Sequence, residues 1–411
     1  MQLAEVIGSG HPGWNVQIFL SLLVVASFVA VVVKWVRLPY SIALVIAGLV
    51  IGVTHLLPPV DMTPELILVM MLPALLFEAA WNLRVSDLRK SWLPIGVLAT
   101  GGVIISTIAV ATVMYFLTGL GLMAALLFGA MISATDPISV LALFKKLGIN
   151  KRLTMILEGE SLFNDGTAVV LFKLILVSML AGTSFSLVSG IGSFAFMVIG
   201  GAALGLGLGY MASKLTSYFD DHLLEVTLTA ILAYGSYLLA EAIHVSPVIS
   251  TICAGIVMGN YGSRIGMSVN TRQAVNLFWE YAAFLVNSMV FLLIGLQMKL
   301  DLLFNYSSLI GAGIIAILLA RALVVYGLAP MLSTNKDPIP MSWRHLLVWG
   351  ALRGSLCMAL ALSLPLDFPK REALVVLTFG VVLFTLLVKG LTIEPLARRL
   401  KIDRDEPADK K

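Results

Sequence analysis

Long apolar runs, separated by short charged or glycine- and proline-containing stretches, constrain this chain more than any other feature. A helix needs about 20 apolar residues to cross the hydrocarbon core of a bilayer. The chain of 411 residues is 59% hydrophobic and 12% charged, whereas a soluble domain carries about 25% charged residues. We therefore predict an all-α polytopic membrane protein with about 13 transmembrane helices. The apolar runs cover about 14–33, 39–57, 62–81, 91–117, 121–144, 153–180, 186–213, 222–243, 246–262, 273–297, 306–331, 344–366 and 372–397.

The positions of Lys and Arg predict the orientation of these helices. Of the 27 Lys and Arg residues, 14 fall in odd-numbered loops, three in even-numbered loops and six in the tail after Pro395. Because cytoplasmic loops carry the excess of positive charge, the odd loops and the tail are predicted to be cytoplasmic. The expected organisation is an extracytoplasmic N-terminus (1–13), one transmembrane domain (14–398) surrounded by lipid, and a short cytoplasmic tail (399–411).

A sequence repeat relates the two halves of the chain. Ala47–Gly52 (AGLVIG) in the second run matches Ala254–Gly259 (AGIVMG) in the ninth, and Leu75–Glu78 parallels Phe284–Asn287 one run later. Seven crossings separate the members of each pair, so the copies run in opposite directions. Inverted repeats are typical of transporters that expose a central site alternately, although chance matching of small-residue packing motifs is an alternative. The two six-helix repeats span about 14–180 and 222–397, and the connector helix spans 186–213.

Two of the runs contain signals for a helix broken at mid-membrane. Thr135–Pro137 (TDP) lies near the centre of the fifth run, where Pro137 removes a donor and clashes with the carbonyl four residues earlier. The twelfth run, its counterpart in the repeat, contains Gly350–Gly354 (GALRG). Irregular backbone is tolerated in a bilayer only where it lines a cavity. We therefore expect two broken helices that cross and balance the charges of Asp136 and Arg353; a simple proline kink is the alternative.

The sixth run contains a polar segment inside an otherwise apolar stretch, Glu160–Asp165 (ESLFND). A charged side chain at the centre of a bilayer costs roughly 3 kcal/mol or more, so such residues are usually functional. On a helix, Ser161 and Asp165 share one face, and Glu160 and Asn164 share a neighbouring face about 100° away. We expect the first pair to face an ion cavity and the second pair to face a neighbouring helix.

Oxygen-bearing residues from three runs are candidates for one cation site, because a hard cation such as Na⁺ favours oxygen ligands. The candidate ligands are Asp165, Asp136, Glu78, the Ser161 hydroxyl and the Thr135 carbonyl. Glu160 then needs a buried cationic partner, for which Arg353 is preferred and Arg321 is second. Lys173 and Lys389 also lie inside predicted helices, where their stems are long enough to reach the membrane surface. Ordinary interhelical hydrogen bonds are the alternative for each of these residues.

In combination, these motifs resemble the signatures of the NhaP-type sodium/proton antiporters. That family comprises prokaryotic relatives of the animal sodium/proton exchangers in the monovalent cation:proton antiporter superfamily. The resemblance runs from about Leu38 to Glu394 and implies thirteen helices, a homodimer, and exchange of one Na⁺ or Li⁺ for one H⁺ in the plasma (inner) membrane of a prokaryote. The segments that carry it are Leu75–Glu78, Thr135–Pro137, Glu160–Asp165, Asn287–Gly295 and Gly350–Gly354.

The resemblance also implies roles for individual residues. Asp165 should bind the proton and the cation in turn, and Glu160 and Arg353 should form a buried structural ion pair. The remaining expected ligands are Ser161, Asp136, Glu78 and Thr135, and the residues expected to support the site include Asn164, Arg321 and Asn287. Because position 164 carries an amide rather than a second acid, no further group titrates there, which favours electroneutral exchange.

Other functional classes fit the sequence less well. A cation channel can use rings of acids, but the Thr-Val-Gly-Tyr-Gly filter is absent from the sequence. An enzyme is disfavoured because the histidines form no His-Glu-x-x-His pattern and no Gly-x-Ser-x-Gly turn occurs. A K⁺/H⁺ carrier remains an alternative. We expect no catalytic activity, no cofactor besides the transported ions, and no nucleic-acid partner.

Overall fold

The structure is a computed structural model that describes residues 16–35, 38–57, 63, 65–180, 187–218, 221–298, 300–332 and 339–400. The predicted N-terminus (1–13) and residues 401–411 of the predicted tail lie outside the described residues. Over the described ranges the secondary structure is helical and contains no β-strand. The helices are α1 (Val16–Val33), α2 (Tyr40–Thr54), α3 (Leu66–Asn82), α4 (Val85–Lys90), α5 (Trp92–Thr118), α6 (Leu122–Ser133), α7 (Ile138–Leu147), α8 (Lys151–Leu180), α9 (Leu187–Thr216), α10 (His222–Ala242), α11 (Pro247–Val257), α12 (Val269–Leu296), α13 (Leu300–Asn305), α14 (Ser307–Leu332), α15 (Met341–Gly350), α16 (Ser355–Leu362) and α17 (Arg371–Arg399).

Each predicted apolar run coincides with helix. In the described part of the chain, seven helices are long and apolar enough to cross a membrane: α5, α8, α9, α10, α12, α14 and α17. Shorter apolar helices, α1, α2, α3 and α6, occupy further runs. The fifth and twelfth runs are each divided in two, into α6 and α7 and into α15 and α16. The fold is therefore an all-helical membrane fold, and the number of crossings stays a prediction.

The local sequence explains both interruptions. Helix α6 ends at Ser133, whose carbonyl would clash with the ring of Pro137 if the helix continued. Ala134 is extended, with ψ of 138°, and α7 begins directly after Pro137. In the second interruption Gly354 is extended, with φ of −139° and ψ of −151°, immediately before α16. Each break therefore leaves backbone groups without intrahelical partners.

Both breaks lie inside the main hydrophobic core. The larger buried cluster joins side chains of α6, α7, α8, α12, α14, α16 and α17, and a smaller one joins α3, α10, α11 and α12. Ala134 and Leu352, one at each break, belong to the larger cluster and are each 1% exposed. The freed backbone groups must therefore find partners within the protein.

The glycine motifs of the sequence repeat make reciprocal contacts. A Cβ atom on Gly52 of α2 would lie 2.6 Å from the Leu296 carbonyl oxygen of α12, so this approach requires glycine. In the other half, Gly259 lies in the π-helical turn Met258–Gly262 that directly continues α11. A Cβ atom there would lie 2.9 Å from the Trp81 carbonyl carbon of α3. The second helix of each predicted repeat thus packs on the third helix of the other.

A third glycine stripe, Gly201, Gly205 and Gly209 on α9, packs within the chain. The sequence alone allows this face to pack either inside one protomer or across a dimer. A Cβ atom on Gly201 would lie 2.6 Å from the Ser246 carbonyl oxygen, and one on Gly209 would lie 3.0 Å from that of Ala254. The stripe is therefore occupied by α11 of the same chain.

Candidate ion-binding site

The two interrupted helices contact each other at their breaks. The Asp136 backbone N–H donates to the Leu352 carbonyl at 2.9 Å. The two residues form an isolated antiparallel bridge between the two breaks. Gly354 lies against the side chain of Asp136, where an added Cβ atom would be 2.6 Å from Asp136 Cβ. The two breaks that the sequence placed in corresponding positions of the halves are thus brought together.

Arg353 satisfies carbonyl groups that the first break leaves free. Its guanidinium donates to the Ser133 carbonyl at 3.0 Å and to the Ala134 carbonyl at 3.1 Å, and the side chain is 3% exposed. Its own backbone N–H donates to the Thr385 hydroxyl of α17 at 3.1 Å. The guanidinium therefore places a positive charge at the carboxyl end of α6, where the helix dipole is negative.

Glu160 pairs with Arg321 of α14, so the preferred sequence prediction of a Glu160–Arg353 pair is wrong. The Arg321 guanidinium contacts both carboxylate oxygens of Glu160, with Nη2 at 2.9 Å from Oε2, and both side chains are buried. Arg321 also donates from Nε to the Leu347 carbonyl at 3.1 Å. The physical reason for the difference is that the Arg353 guanidinium is engaged by the carbonyls of α6. The pair links α8, α14 and α15 inside the core.

Thr135, in the first break, is held by two residues of the polar segment. The Ser161 hydroxyl donates to the Thr135 carbonyl, and the Thr135 hydroxyl donates to Ser161 Oγ at 3.0 Å. Asn164 donates from Nδ2 to the Thr135 hydroxyl at 2.7 Å and accepts the Thr135 N–H at 3.3 Å. Glu160 and Asn164 therefore contact different neighbours, α14 and the break, although their spacing suggested a common one.

A cavity of about 270 Å³ lies beside the two breaks, bounded by α3, α7, α8 and α16. Its lining includes all five residues that the sequence nominated as ion ligands: Glu78, Thr135, Asp136, Ser161 and Asp165. A fourth carboxylate, that of Glu158, also lines it, whereas no Lys or Arg is found among the described residues of the lining. Such a cavity attracts a cation. Asn287, which was expected to support the site, is not among the lining residues.

The carboxylates of the cavity differ in how they are satisfied. Asp136 Oδ1 accepts the N–H of Ile138 at 3.0 Å, and Glu78 Oε1 accepts from Asn82 Nδ2 at 2.7 Å. Asp165 Oδ1 is buried without a hydrogen-bond partner in the structure. A buried acceptor without a partner costs free energy, more so if it is charged. Among the three nominated carboxylates, Asp165 is therefore the one with a buried oxygen that a proton or a cation would satisfy.

The acidic groups do not form a metal cluster of the kind that holds a resident ion. Within the described residues, no three His, Cys, Asp or Glu side chains are close enough to hold a metal ion together. The three predicted carboxylate ligands line one cavity but do not come together at one point. A cation at Asp165 would therefore depend on the hydroxyl and carbonyl oxygens of Ser161 and Thr135 in addition to carboxylate.

Glu158 and Cys357 line the cavity but were not selected from the sequence. Glu158 lies three residues before Ser161 and seven before Asp165, a spacing that places all three on one helical face. That periodicity was sufficient to find Glu158. Cys357 donates from Sγ to the Ala134 carbonyl at 3.4 Å, a contact set by the meeting of the two breaks. No local sequence signal indicates it.

The apolar helices, together with an acidic cavity beside two interrupted helices, define an integral membrane protein of the transporter class. The family model described as "Sodium/hydrogen exchanger, transmembrane" matches residues 21–399. The chain belongs to this family, which is one of transporters rather than enzymes.

Curated relatives match over most of their length. The chain is 44% identical to the low-affinity Na⁺/H⁺ antiporter NhaS1 of Synechocystis over 96% of this chain and 76% of that protein. It is 41% identical to the Na⁺/H⁺ antiporter NhaH of Halobacillus dabanensis over 94% of this chain and 97% of that protein. Among solved structures, the sodium proton antiporter MjNhaP1 from Methanocaldococcus jannaschii at pH 8 has the same fold. The TM-score is 0.79 at 21% identity, covering 97% of this chain and 99% of the other.

Proposed function

We propose that this protein exchanges Na⁺, or Li⁺, for H⁺ by alternating access, with Asp165 as the group that binds the two ions in turn. The observation that carries the proposal is the buried Asp165 oxygen, which has no hydrogen-bond partner among the described residues. It lies in a cavity whose described lining includes four carboxylates and no cationic side chain. Membership of the exchanger family and the names of the relatives support Na⁺ as the cation.

Competition for one carboxylate is sufficient to couple the two ions. An ionised carboxylate away from water is unfavourable unless it is neutralised, and either a proton or Na⁺ neutralises it. The loaded site therefore crosses the barrier, whereas the empty, charged site is held back. The Ser161 hydroxyl and the Thr135 carbonyl, which contact each other in the structure, supply the further oxygens that a bound Na⁺ needs.

The proposed stoichiometry is one cation for one proton. The residue beside Asp165 is Asn164, whose amide is engaged with Thr135 and does not titrate. The nearest buried carboxylate on the same helix, Glu160, is already neutralised by Arg321. Glu158 of α8 also lines the cavity, but it is the Asp165 oxygen that is buried without a hydrogen-bond partner among the described residues, so we assign the change of charge to Asp165. Each cycle then moves equal charge in both directions.

The proposal includes thirteen crossings in two inverted repeats, with the N-terminus outside and the C-terminus in the cytoplasm. The reciprocal packing of α2 on α12 and of α11 on α3 supports the repeat. The cavity extends to Asn82, Leu141 and Glu158, each within several residues of a basic loop. By the positive-inside rule these loops are cytoplasmic, so the cavity faces the cytoplasm in this conformation.

The proposed setting is the plasma (inner) membrane of a prokaryote, where the protein works as a homodimer without a cofactor. Bacterial relatives such as NhaS1 of Synechocystis and NhaH of Halobacillus dabanensis support the prokaryotic setting. Large apolar side chains exposed on α1 and α9, such as Phe28 at 68% and Ile199 at 67%, are suited to contact lipid or a second protomer.

The test of the proposal is cation-driven proton flux in proteoliposomes that contain the purified protein. Na⁺ and Li⁺ are expected to drive saturable proton movement, and Asp165→Asn is expected to abolish it because the amide neither ionises nor exchanges a proton. Glu241→Gln is the control, since Glu241 is half exposed and pairs with Lys173 away from the cavity. Exchange that survives Asp165→Asn removes Asp165 from its role. Flux driven by K⁺ alone indicates a K⁺/H⁺ carrier, and uncoupled, non-saturating flux indicates a channel.

A further inference from the structure

Lys389 is a buried cation to which the proposed exchange mechanism gives no role. It ends the π-helical turn Thr385–Lys389 inside α17, and its side chain is 2% exposed. The ammonium donates to the Val348 carbonyl at 3.2 Å and to the Ala351 carbonyl at 2.7 Å. It also lies 5.9 Å from the ring centroid of Trp349, within the range of a cation–π contact. All its contacts are thus to the carboxyl end of α15.

This arrangement mirrors that of Arg353 at the other break. Arg353 donates to the last carbonyls of α6, and Lys389 donates to the last carbonyls of α15. Each interrupted helix therefore ends in a buried positive charge, where the helix dipole and the freed carbonyl groups are negative. The two cations come from different elements. Arg353 belongs to the second break and binds the end of α6 at the first break, whereas Lys389 belongs to α17, which packs on the second break, and binds the end of α15 there.

The helix packed on each break carries a hydroxyl and, four residues later, a charged group. On α8 these are Ser161, which contacts the Thr135 carbonyl, and Asp165. On α17 they are Thr385, which accepts the Arg353 N–H at 3.1 Å, and Lys389. The first break thus faces the carboxylate of Asp165, whereas the second faces the ammonium group of Lys389, which is covalently attached to the chain.

We propose that Lys389 is a covalently tethered cation that holds the second break in place. Its ammonium occupies, at the second break, the position that the transported cation takes at the first break. Because its ammonium cannot leave, the second break keeps one structure while the first exchanges its ion. The chain then has one exchangeable cation site instead of two. Removing the lysine side chain beyond Cβ leaves a pocket, walled by the Val348 and Ala351 carbonyls, that accepts a small organic ammonium ion.

The test compares Lys389→Ala with Lys389→Met in the full-length protein, using n-propylammonium, which matches the atoms that alanine lacks. The melting temperature in detergent is the first readout, and it does not depend on transport. Lys389→Ala is expected to melt below wild type and to be raised by millimolar n-propylammonium. Lys389→Met fills the pocket, so it should melt below wild type without responding to the amine. Lys173→Met, at a half-exposed lysine of α8, is the matched control and should behave as wild type.

The second readout is the exchange of radioactive Na⁺ for unlabelled Na⁺ at equal pH on both sides, because amines collapse pH gradients. This part rests on the proposed function. Lys389→Met is expected to slow the exchange on the order of tenfold or more, since small displacements of a site are costly. In Lys389→Ala the amine should restore part of the rate.

Any of three results overturns the proposal. The first is a Lys389→Met protein with the melting temperature and the exchange rate of wild type. The second is an equal effect of the amine on wild type and on Lys389→Ala, and the third is no effect of the amine on a folded Lys389→Ala. If Lys389→Ala does not fold, the comparison of Lys389→Met with wild type decides. A wild-type protein that exchanges no Na⁺ contradicts the proposed function alone, because the melting temperatures still report on the tether.

Discussion

Gly354 shows how closely single residues are fitted around the first break. An added Cβ atom would lie 2.6 Å from Asp136 Cβ and 2.9 Å from Asp136 Cγ. Asp136 has little freedom to move away, because its N–H is bonded to the Leu352 carbonyl and its Oδ1 accepts from Ile138. The absence of a side chain at Gly354 therefore determines where the Asp136 carboxylate lies in the cavity.

Gly354→Ala is expected to reduce Na⁺/H⁺ exchange by on the order of 100-fold, because it displaces Asp136 and the bridge to Leu352. Gly350→Ala is the matched control in the same interrupted helix. A Cβ atom there would meet side-chain carbons of Ile393 at 3.3 Å and Val140 at 3.4 Å, which can shift. Cation-driven proton flux in proteoliposomes measures both variants. Equal rates for the two would show that the approach of Gly354 to Asp136 does not govern exchange.

At the scale of elements, the Glu160–Arg321 pair ties α8, which carries Asp165, to α14. The pair is bidentate and buried, and Arg321 additionally binds the Leu347 carbonyl at the end of α15. By contrast, the Lys173–Glu241 pair between α8 and α10 is about half exposed, with N and O 3.9 Å apart. Only the first pair would leave an uncompensated charge inside the protein if one partner were removed.

Glu160→Gln is expected to lower the free energy of unfolding by about 3–5 kcal/mol, because it leaves the Arg321 charge buried and unpaired. Lys173→Met should change it by about 0–1 kcal/mol, as is usual for exposed pairs. Denaturant unfolding in detergent gives both values. In the double variant Glu160→Leu, Arg321→Met, part of the loss should be recovered, since neither charge remains. A Glu160→Gln protein no less stable than Lys173→Met would contradict this account.

The elements themselves were largely predictable from the sequence, because bilayer physics acts locally. The apolar runs located the helices, and Pro137 and Gly354 marked breaks that the structure contains. The five nominated ligands line one cavity for the same reason: the i, i+4 spacing and the break are local signals. Which arginine reaches Glu160 is instead decided by how α14 packs on α8. The sequence could not give that answer, and the preference for Arg353 was wrong.

At the scale of the whole molecule, electroneutrality is the property that distinguishes the proposed exchange cycle from one that moves net charge across the membrane. With Glu160 paired to Arg321 and an amide at Asn164, the proposed cycle moves one Na⁺ against one H⁺ and no net charge. The transmembrane potential acts on a net charge moved across the membrane, by about 2.3 kcal/mol per charge at 100 mV. The transmembrane potential therefore neither drives nor opposes a cycle that moves no net charge.

Exchange rates in proteoliposomes are expected to stay the same when a K⁺ diffusion potential of either sign is imposed with valinomycin. The measurement is the initial rate of Na⁺-driven proton flux at potentials of about ±100 mV. The control is the same experiment at zero potential, with equal K⁺ on both sides. A rate that rises with one polarity and falls with the other would show that the cycle carries net charge.

The reciprocal packing of α2 on α12 and of α11 on α3 has a consequence for biosynthesis. Chains are made from the N-terminus, and early parts begin to fold before later parts exist. The Gly52 surface of α2 and the Trp81 surface of α3 receive their partners only when α12 and α11 leave the ribosome. Until then both surfaces face lipid or a chaperone. The first half of this protein therefore completes its assembly on the second, so a chain truncated between the halves is an unfinished intermediate and not a smaller transporter.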